Sequence, residues 1–133
     1  MSSEKVDVKE LSNTIMDYLN NYSEDIHNEV VEVTEDVTKK AILELKETSP
    51  RGKGNRSKPY HLGWESKIQV KGKNKYHRVI WNKTNYQLTH LLEFGHATKN
   101  GGRTKAEPHI QPIEDKYQAE FVDLLSKKIG RTN

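Results

Sequence analysis

The sequence contains no cysteine in its 133 residues. This excludes disulfides, thiolate nucleophiles and cysteine-ligated zinc, and it fits synthesis in a reducing cytosol. Hydrophobic residues make up only 32%, against roughly 45–50% in an average globular chain when glycine is counted in. The core is therefore expected to be small, and small cores in charged chains are often completed by oligomerisation. No apolar run approaches the ~20 residues of a membrane-spanning helix. The opening MSSEKVDVKE lacks the apolar stretch of a secretory signal. The expectation is a cytosolic product with no membrane contact, folded as one domain over 1–133.

Charge is present and unevenly placed. The net charge is only +3, but residues 1–49 carry five Lys/Arg against twelve Asp/Glu, a net of −7. Residues 50–105 carry thirteen against two, a net of +11. An acidic arm and a basic middle allow two partners: other copies of the chain, or nucleic acid.

Apolar side chains at Leu11, Ile15, Leu19, Tyr22, Ile26, Val30, Val33, Val37, Ala41 and Leu45 follow spacings of three and four. That periodicity predicts one long amphipathic helix over 7–47. Asp7 with Glu10 resembles a capping box, and Asn20, Asn21 and Ser23 allow a bend. The helix packs either on its own domain or, in part, on a neighbouring subunit. SPRGKGNRSKPY at 49–60 holds two Gly, two Pro and four basic residues and reads as an exposed loop. WESKIQV and YHRVIWN read as the strands of a β-hairpin over 64–82, turning at KGKN. Trp64, Ile68 and Val70 are expected on one face.

A short helix is predicted at 85–94, with Thr84 and Gln87 at capping-box spacing. Leu88, Leu91 and Leu92 would share its face, and Gly95 would follow it. Residues 95–110 form a second loop. A closing helix spans 112–129, with an apolar face of Ile113, Tyr117, Phe121, Leu124 or Leu125, and Ile129. The fold class is α+β. Two strands alone are marginal, so a third strand near 108–111 or pairing with another subunit is expected.

The histidines raise the question of a metal. His90, Glu93 and His96 are spaced by three, with His109 beyond, but Gly95 interrupts the helix and no HExxH motif is present. His96 and His109 are better read as organising the loop. A metal-dependent nuclease would need a metal cage and phosphate clamp in addition to the basic residues. No catalytic residue, metal site or cofactor is expected. Arg51, Lys53, Arg56, Lys58, Lys71, Lys73, Lys75, Arg103 and Lys105 form basic loops or turns without a helix-turn-helix, zinc-finger or RNP-like pattern. They would meet acidic protein surfaces or, as the rival reading, grip DNA without reading sequence.

RVIWNKTNYQLTHLLEFGHATKNGGRTKAEPHIQP, from Arg78 to Pro112, resembles the signature of a family of tail-component or neck proteins of long-tailed bacteriophages. The resemblance is carried by Tyr86, Leu88, Leu91, Leu92, Glu93, Gly95, His96, Gly101, Gly102, Arg103, Pro108, His109, Ile110 and Pro112. Arg51-Gly52-Lys53-Gly54-Asn55 and Phe94 depart from its usual pattern. The resemblance implies a structural, non-enzymatic role at the head-to-tail junction, first in the host bacterial cytoplasm and then in the virion. The protein would form part of a ring around the DNA channel. Its partners would be itself and other neck, head-closure, tail-terminator or tail-tube proteins, with non-specific contact to genomic DNA. Tyr86, Leu91, Glu93, Gly95, His96, Gly101, Gly102, Arg103, Pro108 and His109 would frame one helix-loop turn, with Glu93 and Arg103 pairing across it.

Overall fold

The computed structural model describes residues 24–72 and 75–131. The first elements are helix α1 (Glu24–Thr48), strands β1 (Gly54–Asn55) and β2 (Lys58–Pro59), and a 3-10 turn at Tyr60–Leu62. Strands β3 (Trp64–Gly72) and β4 (Lys75–Asn82) follow, then helices α2 (Tyr86–Phe94) and α3 (Gln111–Arg131). The α+β class and its order of helix, hairpin, short helix and helix are as the periodicities predict. The expected start of the first helix, its cap at Asp7 and Glu10, its bend, and Leu11, Ile15, Leu19 and Tyr22 lie outside the described residues, as does Lys73.

Helices α1 and α3 run antiparallel. Glu44 meets Lys116 at 2.6 Å, Lys40 meets Glu120 at 3.2 Å, and Glu32 meets Lys128 at 2.8 Å. Between them lies the core: Ile26, Val30, Val33, Val37, Ala41 and Leu45 face Ile113, Tyr117, Phe121 and Leu125. Each list advances by three or four residues, one per helical turn. Thr34 and Thr38 are buried as well, because α1 is covered on a second side by the β3–β4 hairpin.

That hairpin is antiparallel, from Trp64 opposite Asn82 to Gly72 opposite Lys75. Its inner face is fastened to α1 by Glu35, which accepts hydrogen bonds from the Tyr76 hydroxyl and Arg78 Nε. Arg78 also donates to Ser66 Oγ at 3.0 Å.

Four local expectations need correction. Trp64 is buried, but Ile68 and Val70 are not. A bulge at Gln69 sets Ile68 opposite Arg78 and Val70 opposite His77, so Val70 moves to the other face of the ribbon. No third strand joins the hairpin among the described residues; the other ladder is the two-residue pairing of β1 with β2. The 49–60 segment is not wholly an exposed loop, since its last residue, Tyr60, is fully buried. Thr84 and Gln87 do not make a capping box either: α2 begins after Asn85, with no side-chain cap from that residue.

Candidate functional site

The segment from Asn82 to Gln111 is built around three buried polar side chains, Asn82, Glu93 and His109. Asn82 closes β4. Its Nδ2 donates to the Tyr60 carbonyl at 2.8 Å, while its Oδ1 accepts from the Asn85 N–H at 2.9 Å. One amide thus joins the end of the basic loop to the start of α2.

Glu93, near the other end of α2, is 4% exposed. Its Oε1 accepts from the N–H groups of His109 at 2.8 Å and Ile110 at 2.9 Å, and its Oε2 from that of Gln111 at 3.0 Å. These are donors at the start of α3, where a helix leaves its N–H groups without intrahelical acceptors and favours negative charge. Glu93 is therefore a helix cap supplied from another element. Burial alone would push its carboxyl up, but the His109 side chain and the three N–H donors outweigh it and bring it to about 2.

His109 extends the network. Its Nδ1 lies 2.7 Å from the Glu107 carbonyl and 3.1 Å from Glu93 Oε1. Both are acceptors, so this nitrogen carries a proton. Nε2 then accepts from the Tyr60 hydroxyl at 2.7 Å. Burial foremost pushes the Tyr60 phenol up to about 12, so it stays protonated and donates. Tyr60, Trp64 and His109 pack edge to face, with centroids 5.5–6.1 Å apart. Trp64 Nε1 donates to Ser49 Oγ at 2.8 Å, which ties the cluster to the end of α1.

Replacing Tyr60 by Phe keeps the ring packing and removes the hydroxyl. The expected cost is about 1 kcal/mol, since His109 Nε2 loses its donor. Chemical denaturation of wild type and variant measures it.

The loop between α2 and α3 is ordered by its own backbone. Gly95 has φ +71°, Ala97 bridges Arg103, and Thr104 N–H donates to the His96 carbonyl at 2.8 Å. Gly101, at φ +83°, turns the loop back, and its N–H donates to the Thr98 carbonyl at 3.2 Å. The Thr104 hydroxyl lies 3.1 Å from His96 Nδ1. Gly102 and Pro108 are exposed.

Of the predicted frame, Glu93, Gly95 and His109 are brought together or buried, whereas Tyr86 and Leu91 stand at the surface. The expected pairing of Glu93 with Arg103 is corrected. The carboxylate turns inward to the start of α3, and Arg103 is an exposed loop residue. Tyr60, Trp64 and Ser49 were missed as parts of the frame; the signal was the aromatic pair, Tyr60 and Trp64, at the end of the Pro- and Gly-rich stretch. His90 packs against Phe94 with the rings tilted by 52° and centroids 4.8 Å apart. Among the described residues, no group of three His, Asp or Glu side chains is placed to hold a metal ion.

The basic residues separate into two sets. Lys53 lies 3.9 Å from Glu107, and Asn85 Nδ2 donates to the Lys58 carbonyl at 2.7 Å. These contacts set the 51–58 loop beside α2 and the returning 95–107 loop. Lys71 and Lys75 sit at the hairpin tip, seven or more residues along the ribbon from its base at Trp64 and Asn82.

No helix among the described residues is long and apolar enough to cross a membrane. No family model, curated protein or solved structure matches the chain.

Proposed function

We propose that this protein is a structural assembly subunit, with no catalytic role. Its place would be the head-to-tail junction of a tailed bacteriophage, as a neck or tail-completion protein in a ring around the DNA channel. The supporting observation is the use made of Glu93 and His109 in the segment that resembles the neck-protein signature. Glu93 is committed to the start of α3, and His109 to Tyr60, Glu107 and Glu93. These side chains hold a scaffold together. Tyr86, Leu91 and Phe94 of α2 are exposed at 62%, 36% and 42%, and supply apolar surface for neighbouring subunits.

The test is deletion of the gene from a phage that carries it, followed by electron microscopy. Full heads separate from unattached or aberrant tails are the expected result. Normal infectious particles would refute the assignment.

A further inference from the structure

We infer that the loops 51–58 and 99–105 together form a binding surface for the phosphate backbone of nucleic acid, through Lys53, Arg56, Lys58, Lys99, Arg103 and Lys105. This goes beyond the neck reading and does not depend on it.

All six side chains belong to exposed residues, and the Lys53–Glu107 contact sets the first loop against the end of the segment that carries the second. Arg51 is left out, because its guanidinium donates to the Lys46 and Glu47 carbonyls at the end of α1. Acidic residues close to the surface are few. Between residues 50 and 107 the sequence has only Glu65, Glu93 and Glu107. Glu65 lies with Lys83 on the hairpin, and Glu93 is buried.

An acidic partner is needed, and the described part of α1 is a poor one. Five of its eight carboxylates are already engaged within the chain: Glu29 and Glu32 share Lys128, Glu35 meets Arg78, Asp36 meets Lys40, and Glu44 meets Lys116. A second copy would therefore offer these loops less negative charge from that helix than its composition suggests. Protein interfaces also have an apolar centre depleted of charge. None of the exposed large hydrophobic residues falls within 51–58 or 95–107. Cations without an apolar centre suit a polyphosphate chain, whose binding is driven by counterion release. The cations sit on two loops whose only pairing is the two-residue β1–β2 ladder and the Ala97–Arg103 bridge, with no helix of the patch to enter a groove, so contact is with backbone and not base edges.

The hairpin tip is excluded. It lies roughly 25 Å from the hairpin base next to the loops, at about 3.3 Å per residue.

The experiment is fluorescence anisotropy of the full chain with labelled duplex DNA of arbitrary sequence. With about five phosphate contacts, affinity should fall roughly 500-fold between about 50 and about 200 mM salt. A variant with Arg56, Lys58, Lys99, Arg103 and Lys105 all changed to Glu should bind at least ~100-fold more weakly at the lower salt. The set changed to Gln serves the same purpose should the Glu set not fold, with unchanged unfolding midpoints as the criterion. Lys71→Glu with Lys75→Glu should bind like wild type. Absence of binding at low salt, equal loss in the hairpin-tip variant, or displacement of DNA by an equal charge of polyglutamate would overturn the proposal. The last outcome would assign the loops to an acidic protein partner.

Discussion

Changing Glu93 to Ala is expected to destabilise the folded chain by about 4 kcal/mol, a large fraction of the stability of a domain this size. The change leaves the His109, Ile110 and Gln111 N–H groups without the carboxylate that accepts from them, and it removes the charge that His109 Nδ1 faces at 3.1 Å. A buried donor left unsatisfied costs about 1–3 kcal/mol, and the costs are only partly additive because water can enter the space. Amide exchange should quicken first at residues 107–111 and in the first turn of α3. Protection there equal to wild type would show that the carboxylate is dispensable. The surface pairs offer a contrast. Lys40–Glu120 and Lys127–Asp123 are open to solvent, and water and salt screen them to a small contribution.

The same residue sets an acid limit on stability. Its folded carboxyl lies at about 2, below the ordinary 4.5. The unfolded chain therefore binds the proton first as the pH falls. The stabilisation is full above about pH 4.5 and is lost progressively as the pH drops towards 2, amounting to about 3 kcal/mol. Glu93→Gln keeps one acceptor oxygen and cannot titrate. Its unfolding free energy should start lower at pH 7 and show a shallower decline between pH 5 and pH 2. Parallel curves for the two proteins would rule out Glu93 as the responsible group.

Local patterns in the sequence reached much of this fold. The three-four spacing of Ile26 to Leu45 and of Ile113 to Leu125 places both helices and their buried faces. The alternation around Trp64 and Ile80 places the hairpin. What local patterns do not carry is the partner of a polar side chain distant in sequence. Glu93 looks like one more surface residue of an amphipathic helix, yet its acceptors serve donors 16 to 18 residues later. Tyr60 lies in a run whose composition says loop, and only the arrival of His109 and Trp64 makes its place a core. The bulge at Gln69 has no proline or glycine to mark it, so the alternation misplaces Val70. Net charge by segment was misleading for a related reason. The acidic helix is partly neutralised by Lys116, Lys128, Lys40 and Arg78, whereas the basic loops have few acidic neighbours in the sequence.

Gly95→Ala is the second large effect, and its cause is purely backbone. Gly95 ends α2 at φ +71° and ψ 172°, a region almost exclusive to glycine that costs a side chain about 1–3 kcal/mol. There is no room to relax it. A Cβ at this position would sit 2.5 Å from the Thr104 carbonyl oxygen and 3.3 Å from the Ala106 nitrogen, both main-chain atoms. The 104–106 segment of the loop would have to move away from it. That movement pulls on Glu107, whose N–H donates to the Leu92 carbonyl at 2.7 Å and whose own carbonyl holds His109 Nδ1. The expected loss is about 3 kcal/mol, read from thermal or chemical unfolding. Since the alanine acts on the frame through Glu107 and His109, it should be less than additive with Glu93→Ala, which disrupts the same contacts. Full additivity of the two would separate Gly95 from the Glu93 network and leave it as a local turn residue.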